Sequence, residues 1–303
     1  AIAKGSFSEE QIYNWSYEDE QEKKENWTGE ENNPYEKLPR LNMFTYQMSK
    51  MIIDEVKKGA HLDDDKNVDY AFDLNEFFAT KEDGKFIHEQ DVKRWLDTLT
   101  HNEKYPFSTP ELRNELKHTF WILNRVASAK ALKALLDHHP VFENYETILA
   151  AGDGKSDADD FVANENSFNK VCEAIKTHDK TITLSVGQLT TGVTIPEWTA
   201  VMMLSNMKSP AFYMQAAFRA QNPHDWSEPS DGDETRYQKQ NAYVFDFSPE
   251  RTLIIFDEFA NNLSTRTTSG GGTSKNREDN IRRLLNFFPV IGEDSEGRMV
   301  ELD

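Results

Sequence analysis

The chain has 303 residues and is 37% hydrophobic, enough to fill the core of one large domain or two modest ones. Its 34 Lys plus Arg against 53 Asp plus Glu leave a formal charge of −19, which excludes a protein that coats nucleic acid indiscriminately and makes any DNA contact local. A single cysteine, Cys172, excludes an internal disulfide and a cysteine-based zinc site, and no apolar run approaches the roughly 20 residues that span a bilayer, so a cytoplasmic setting without a membrane partner is expected.

Residues 8–27 set Ile12, Trp15 and Tyr17 among dense charge, which predicts a peripheral helix held by a few aromatic anchors. A Pro-rich approach precedes an apolar strand at 41–46 and a helix at 48–58, and residues 1–46 are read as an arm. Residues 47–115 are read as a mainly helical insertion, with a solvated acidic run at 63–65 and an apolar stripe of Val92, Trp95 and Leu96.

From 116 to 263 short apolar runs alternate with amphipathic segments, the pattern of a mostly parallel α/β sheet with helices on both faces. Strands are expected at 118–124, 145–152, 180–186, 200–206 and 242–247, with helices at 127–139, 166–178, 209–221 and 249–263. Residues 264–279, STRTTSGGGTSKNRED, have little to bury and predict a flexible linker, followed by a short helix at 280–287 and the start of a further C-terminal region to 303. The absence of an initiator Met suggests that the chain is part of a longer one.

Three chemical candidates are set aside on spacing. Gly154, Lys155 and Ser156 end like a phosphate-binding loop, but Leu149 stands where GxxxxGK[ST] needs its first Gly. Asp153, Asp157, Asp159 and Asp160 would repel a triphosphate there, and they lack the spacing of an EF-hand. His138 and His139 are adjacent, not at i, i+4, so they do not share one helix face for a metal.

The informative stretch is 182–223, ITLSVGQLTTGVTIPEWTAVMMLSNMKSPAFYMQAAFRAQNP. Thr190, Thr191 and Gly192 offer hydroxyls and backbone N–H groups after a parallel strand, where open α/β sheets bind ligands. Gln215 and Arg219 follow at i, i+4 on one helix face. LTTGVTIPEW resembles motif V of superfamily 2 helicases of the DEAD/DEAH type, YMQAAFRAQNP resembles their motif VI, and FWILNRVASAKAL resembles their motif IV turn. Weaker likenesses extend over most of residues 5–263 to the helicase (Res) subunits of type III restriction enzymes.

The resemblance implies the second, C-terminal RecA-like domain of an ATP-dependent DNA helicase or translocase, a P-loop NTPase-like half without its own Walker A and B motifs and inactive alone. ATP with Mg2+ would be held mainly by an N-terminal RecA-like domain. By that resemblance Arg219 and Gln215 are the catalytic candidates, and Gly192, Thr194, Gln215 and Arg219 face the nucleotide. Arg125, Ser128, Thr190 and Thr191 are the DNA-binding candidates, with no metal ligand in the chain. This sequence departs from the family pattern at Thr194, which replaces an acid, at Phe218, which replaces a Gly, and at Asn222, which replaces the last Arg. Ser128 is also open to reading as a plain helix cap, and Arg219 as a surface ion-pair partner. The implied partners are DNA, the N-terminal RecA-like domain and a methyltransferase or nuclease component. The alternative is a non-catalytic helicase-like scaffold for protein partners, and an independent phosphotransferase at Lys155 falls with its P-loop.

Overall fold

The computed structural model describes residues 22–29, 32–33, 35–52, 73–151, 157–230, 233–262, 267, 271–287, 289–294 and 296–301. The aromatic anchors of the N-terminal arm, the acidic run at 63–65 and the Gly154-Lys155-Ser156 turn lie outside them.

Ten strands are seen among the described residues: β1 (Arg40–Thr45), β2 (His118–Ile122), β3 (Glu146–Ala150), β4 (Thr181–Ser185), β5 (Ala200–Met203), β6 (Asp225–Ser230), β7 (Asp233–Gln238), β8 (Asn241–Asp246), β9 (Val290–Glu293) and β10 (Met299–Glu301). Eight of them form one sheet in the order β10-β9-β1-β8-β5-β2-β4-β3. Every pairing in it is parallel except β10 with β9. Strands β4 and β5 are buried at every position, as parallel strands covered on both faces must be.

The helices are α1 (Leu74–Phe77), α2 (Glu89–His101), α3 (Pro110–Glu115), α4 (Val126–Leu136), α5 (Asp157–Thr177), α6 (Pro210–Ala217), α7 (Pro249–Asn262) and α8 (Ser274–Phe287). Side chains of a strand alternate between faces, and β2 shows the result: Trp121 enters one core, Phe120 and Ile122 the other. The first core takes Phe77 of α1, Trp95 of α2 and Leu132 of α4; the second takes Val171, Tyr213, Ile255 and Leu284 of α5 to α8. Helices α4 and α6 thus follow the neighbouring strands β2 and β5 onto opposite faces. That reversal falls at the carboxyl ends of the central strands, the place where open α/β sheets hold ligands.

The sheet reaches beyond residues 116–263. Strand β1, from the segment read as an arm, sits between β8 and β9, and its buried positions alternate along RLNMFT. The segment read as an insertion packs against the sheet through Phe77, Trp95 and Phe107, all fully buried. Two further segments depart from the expected pattern. Residues 225–238, left between the strand and helix segments expected from the sequence, form the antiparallel hairpin β6–β7, with Trp226 opposite Tyr237 and their rings stacked 5.6 Å apart. Helix α8 starts at Ser274, inside the expected linker, because Thr273 and Asn276 cap each other reciprocally and Arg277 pairs with Asp257 at 3.1 Å.

Candidate functional site

The segments that carry the candidate residues leave neighbouring strands. Ile122 of β2 is in register with Ser185 of β4 and with Met203 of β5, so the turn at 123–125, the loop 186–199 and the loop 204–209 start side by side. Arg125 is the N-cap of α4, exposed, with backbone in the extended region and no side-chain capping bond. Ser128 is different: its hydroxyl donates to the Phe78 carbonyl at 2.6 Å and is buried. It ties α4 to the α1 region and is offered neither to a ligand nor to the helix end.

The loop after β4 is tightly bent. Gly187 and Gly192 have φ of +87° and +74°, and Leu189, a fully buried non-glycine, has φ of +60°. A side chain in the left-handed region is costly unless its surroundings hold it there, and the core around Leu189 does so. A Cβ on Gly192 would meet nothing within 4 Å, so this glycine serves its backbone angle and leaves open space beside it. Thr191 and Thr194 are exposed on either side of it, whereas Thr190 is buried and its hydroxyl has no partner.

Helix α6 begins with Ser209, whose side chain accepts from the Phe212 N–H at 3.3 Å, and with Pro210, whose missing N–H costs nothing at that position. It continues into a 3-10 turn, Phe218–Ala220, that ends on Arg219 and Ala220. Gln215 is exposed on α6. The Arg219 guanidinium donates through Nε to the Gln215 carbonyl at 3.1 Å and through Nη1 to the Val193 carbonyl. The structure therefore brings Arg219 onto the 192–194 loop. Arg219 makes no ion pair among the described residues, and partial burial lowers its pKa from the ordinary arginine value. Asn222, in the place of a second arginine, donates to the Arg219 carbonyl at 2.9 Å and so closes the turn.

Lys239, which sequence reasoning did not single out, lies between these segments. It is 3% exposed, and its ammonium donates to the carbonyls of Pro196 at 2.6 Å, Trp198 at 2.9 Å and Ala220 at 2.9 Å. Burial pulls its pKa down to about 7, and Glu197 opposes that shift. A second buried cluster closes the sheet end at β8: Asp246 accepts from Tyr213 at 2.8 Å and from Arg251 at 2.6 Å. Trp198 is core, stacked on Phe120 at 4.3 Å.

The candidate residues thus sit on segments that leave adjacent strands of a mostly parallel sheet. The fold is α/β, a mostly parallel sheet between two helical layers. No family model matches the chain. It is similar to a curated relative from Mycoplasma pneumoniae named as the C-terminal part of a type II restriction enzyme and methyltransferase, RM.MpnORF110P, at 27% identity over 95% of this chain. The chain spans 40% of the length of that relative. Among solved structures, S. cerevisiae Dbp5 bound to RNA and ADP BeF3 covers 75% of this chain at 10% identity with a TM-score of 0.35, the chain spanning 40% of it. The Type ISP restriction-modification enzyme LlaBIII bound to DNA covers 83% at 13% identity with a TM-score of 0.41, the chain spanning 17% of it. The C-terminal part of the Fun30 ATPase domain covers 81% at 10% identity with a TM-score of 0.37, the chain spanning 98% of it. No helix among the described residues is long and apolar enough to cross a membrane.

Proposed function

We propose that this chain is the C-terminal motor half of an ATP-dependent DNA helicase or translocase of a restriction-modification system, acting on ATP held mainly by an N-terminal RecA-like domain. The observation that carries the reading is the guanidinium of Arg219, fixed by two backbone carbonyls and without an acidic partner among the described residues. A guanidinium placed this way keeps its charge and its remaining N–H donors for phosphate oxygens. Arginine also suits a partly buried position because it stays protonated there.

The residues present fit a triphosphate. Gly192 gives an open backbone approach, Thr194 and Gln215 supply exposed hydrogen-bonding groups, and Arg219 supplies the charge. Thr194 offers no carboxylate, so it contributes a neutral hydroxyl contact and no metal ligand. ATP with Mg2+ supplies the phosphoryl group that is transferred to water. Arg219 would neutralise charge on the phosphate oxygens, held by the carbonyls of Val193 and Gln215, and the exposed Gln215 side chain would supply a further hydrogen-bonding group. On the DNA side, Arg125 and Thr191 are exposed and fit single phosphate contacts, while Ser128 is committed to Phe78.

The replacement of the second motif VI arginine by Asn222, a residue that closes a turn, favours the scaffold reading on that one point. ATP hydrolysis by the full-length protein, measured with and without duplex DNA, separates the two. Stimulation by DNA, together with DNA binding that weakens steeply as salt rises, supports the motor. Hydrolysis indifferent to DNA, with binding that has no salt slope, leaves the scaffold.

A further inference from the structure

Lys239 belongs to no motif, yet it joins three backbone segments. Its ammonium fills its donor capacity of three N–H groups on Pro196 and Trp198 of the loop after β4 and on Ala220 of the turn that carries Arg219. Its own N–H donates to the His224 carbonyl at 2.8 Å, so it also closes the base of the β6–β7 hairpin. A lysine buried this deeply pays a large desolvation penalty. The neighbouring core around Trp198 and Ala220 is apolar, so the three carbonyls have the ammonium as their donor and the two segments are held to each other through it.

We propose that Lys239 is a positioning residue for hydrolysis, which locks the Arg219 turn to the 188–199 loop so that the guanidinium and the loop backbone meet the nucleotide as one unit. This rests on the motor reading. Arg219 already touches Val193 on the same loop, so the two contacts act in parallel, one through the reactive side chain and one through the backbone behind it. The charged and titratable groups that act on the ammonium are Glu197 on the loop and His224 at the hairpin base; Asp225 acts on His224 and is itself paired with Lys37. Glu197 favours the charged lysine and burial disfavours it, so the ammonium loses its proton, and with it one of the three links, as pH rises past neutrality.

The test uses the full-length protein with Lys239→Met and Lys239→Arg. Backbone hydrogen exchange in residues 193–199 and 216–222 is measured first, without ATP or DNA. The expected result is a loss of protection of about tenfold or more in both segments in Lys239→Met, with strands β2 and β4 unchanged. DNA-stimulated hydrolysis is then expected to lose about tenfold in kcat with little change in the KM for ATP, and to regain part of that loss in Lys239→Arg. The wild type should lose kcat from about pH 6.5 to 8.5 relative to Lys239→Met, whose profile lacks that limb.

Unchanged protection in both segments overturns the proposal. If Lys239→Met unfolds as a whole, Lys239→Gln, which keeps two of the three N–H donors, decides: a loss of protection confined to the two segments supports the proposal, and protection equal to that of the wild type overturns it. A protein whose two segments loosen in Lys239→Met but whose wild type shows no DNA-stimulated hydrolysis retains the Lys239 lock and refutes the motor reading instead.

Discussion

Arg219 and Gln215 were legible because the spacing i, i+4 puts them on one face of any helix, and the structure shows the two residues in contact at 3.1 Å. Ser128 was not: a Ser near a helix start reads as a cap or a phosphate contact, and only its tertiary partner, Phe78 fifty residues away, shows that it faces inward. Lys239 was equally hidden, since its three acceptors are carbonyls, which leave no mark on sequence. His118 carries a residue-scale prediction. It is largely buried beside Thr181, and burial lowers its pKa to about 4 from the ordinary 6.5, with Asp179 opposing. The unfolded chain therefore takes up the proton first. The stability that the neutral ring contributes is complete above about pH 6.5 and is lost as pH falls towards about 4. Urea unfolding at pH 7 and near pH 4.5 should show a smaller acid loss in His118→Gln than in wild type; an equal loss in both would assign the acid sensitivity to other groups.

Among the elements, the expected parallel strands were readable from short apolar runs bounded by turn residues, because a strand covered on both faces must be apolar at nearly every position. The β6–β7 hairpin was missed although Asp231 and Gly232, a favoured two-residue hairpin pair, separate its strands in the sequence. The density of acidic residues around them masked the Trp226 and Tyr237 cross-strand pair. The helix expected at 280–287 is the later part of α8; its first turns, 274–279, were assigned to the linker for a related reason, since the Thr- and Gly-rich composition before them outweighed the Thr273–Asn276 cap. Helix α6 offers an element-scale test because it carries Gln215. Ser209→Ala removes the side chain that accepts from Phe212 and should cost about 1 kcal/mol, read by chemical unfolding, whereas no measurable cost would mean that Pro210 alone sets the helix start. The Asp246 cluster holds α6 and α7 together through Tyr213 and Arg251. Asp246→Ala leaves Arg251, with a side chain only 13% exposed, without its carboxylate and should cost about 3–5 kcal/mol in the same assay. A loss below about 1 kcal/mol would show that the Ser205 carbonyl suffices for Arg251.

For the whole molecule, the resemblance anticipated a RecA-like sheet, while composition could not place β1, β9 and β10 in it, because strand neighbours set by long-range pairing are not written in local pattern. The strongly acidic chain would confine any phosphate contacts to a few points, and the exposed candidates for them, Arg125 and Thr191, lie on segments that leave the carboxyl ends of β2 and β4. The function proposed above is, at this scale, that the chain lends a pre-positioned cation to a nucleotide held elsewhere. The most direct measurement is DNA-stimulated ATP hydrolysis by the full-length protein carrying Arg219→Ala, with ATP binding and unfolding followed in parallel. The account predicts a fall in kcat of about 10²-fold or more with ATP affinity and stability nearly unchanged. Hydrolysis within about twofold of wild type would show that Arg219 does not act on the phosphates and would contradict the account.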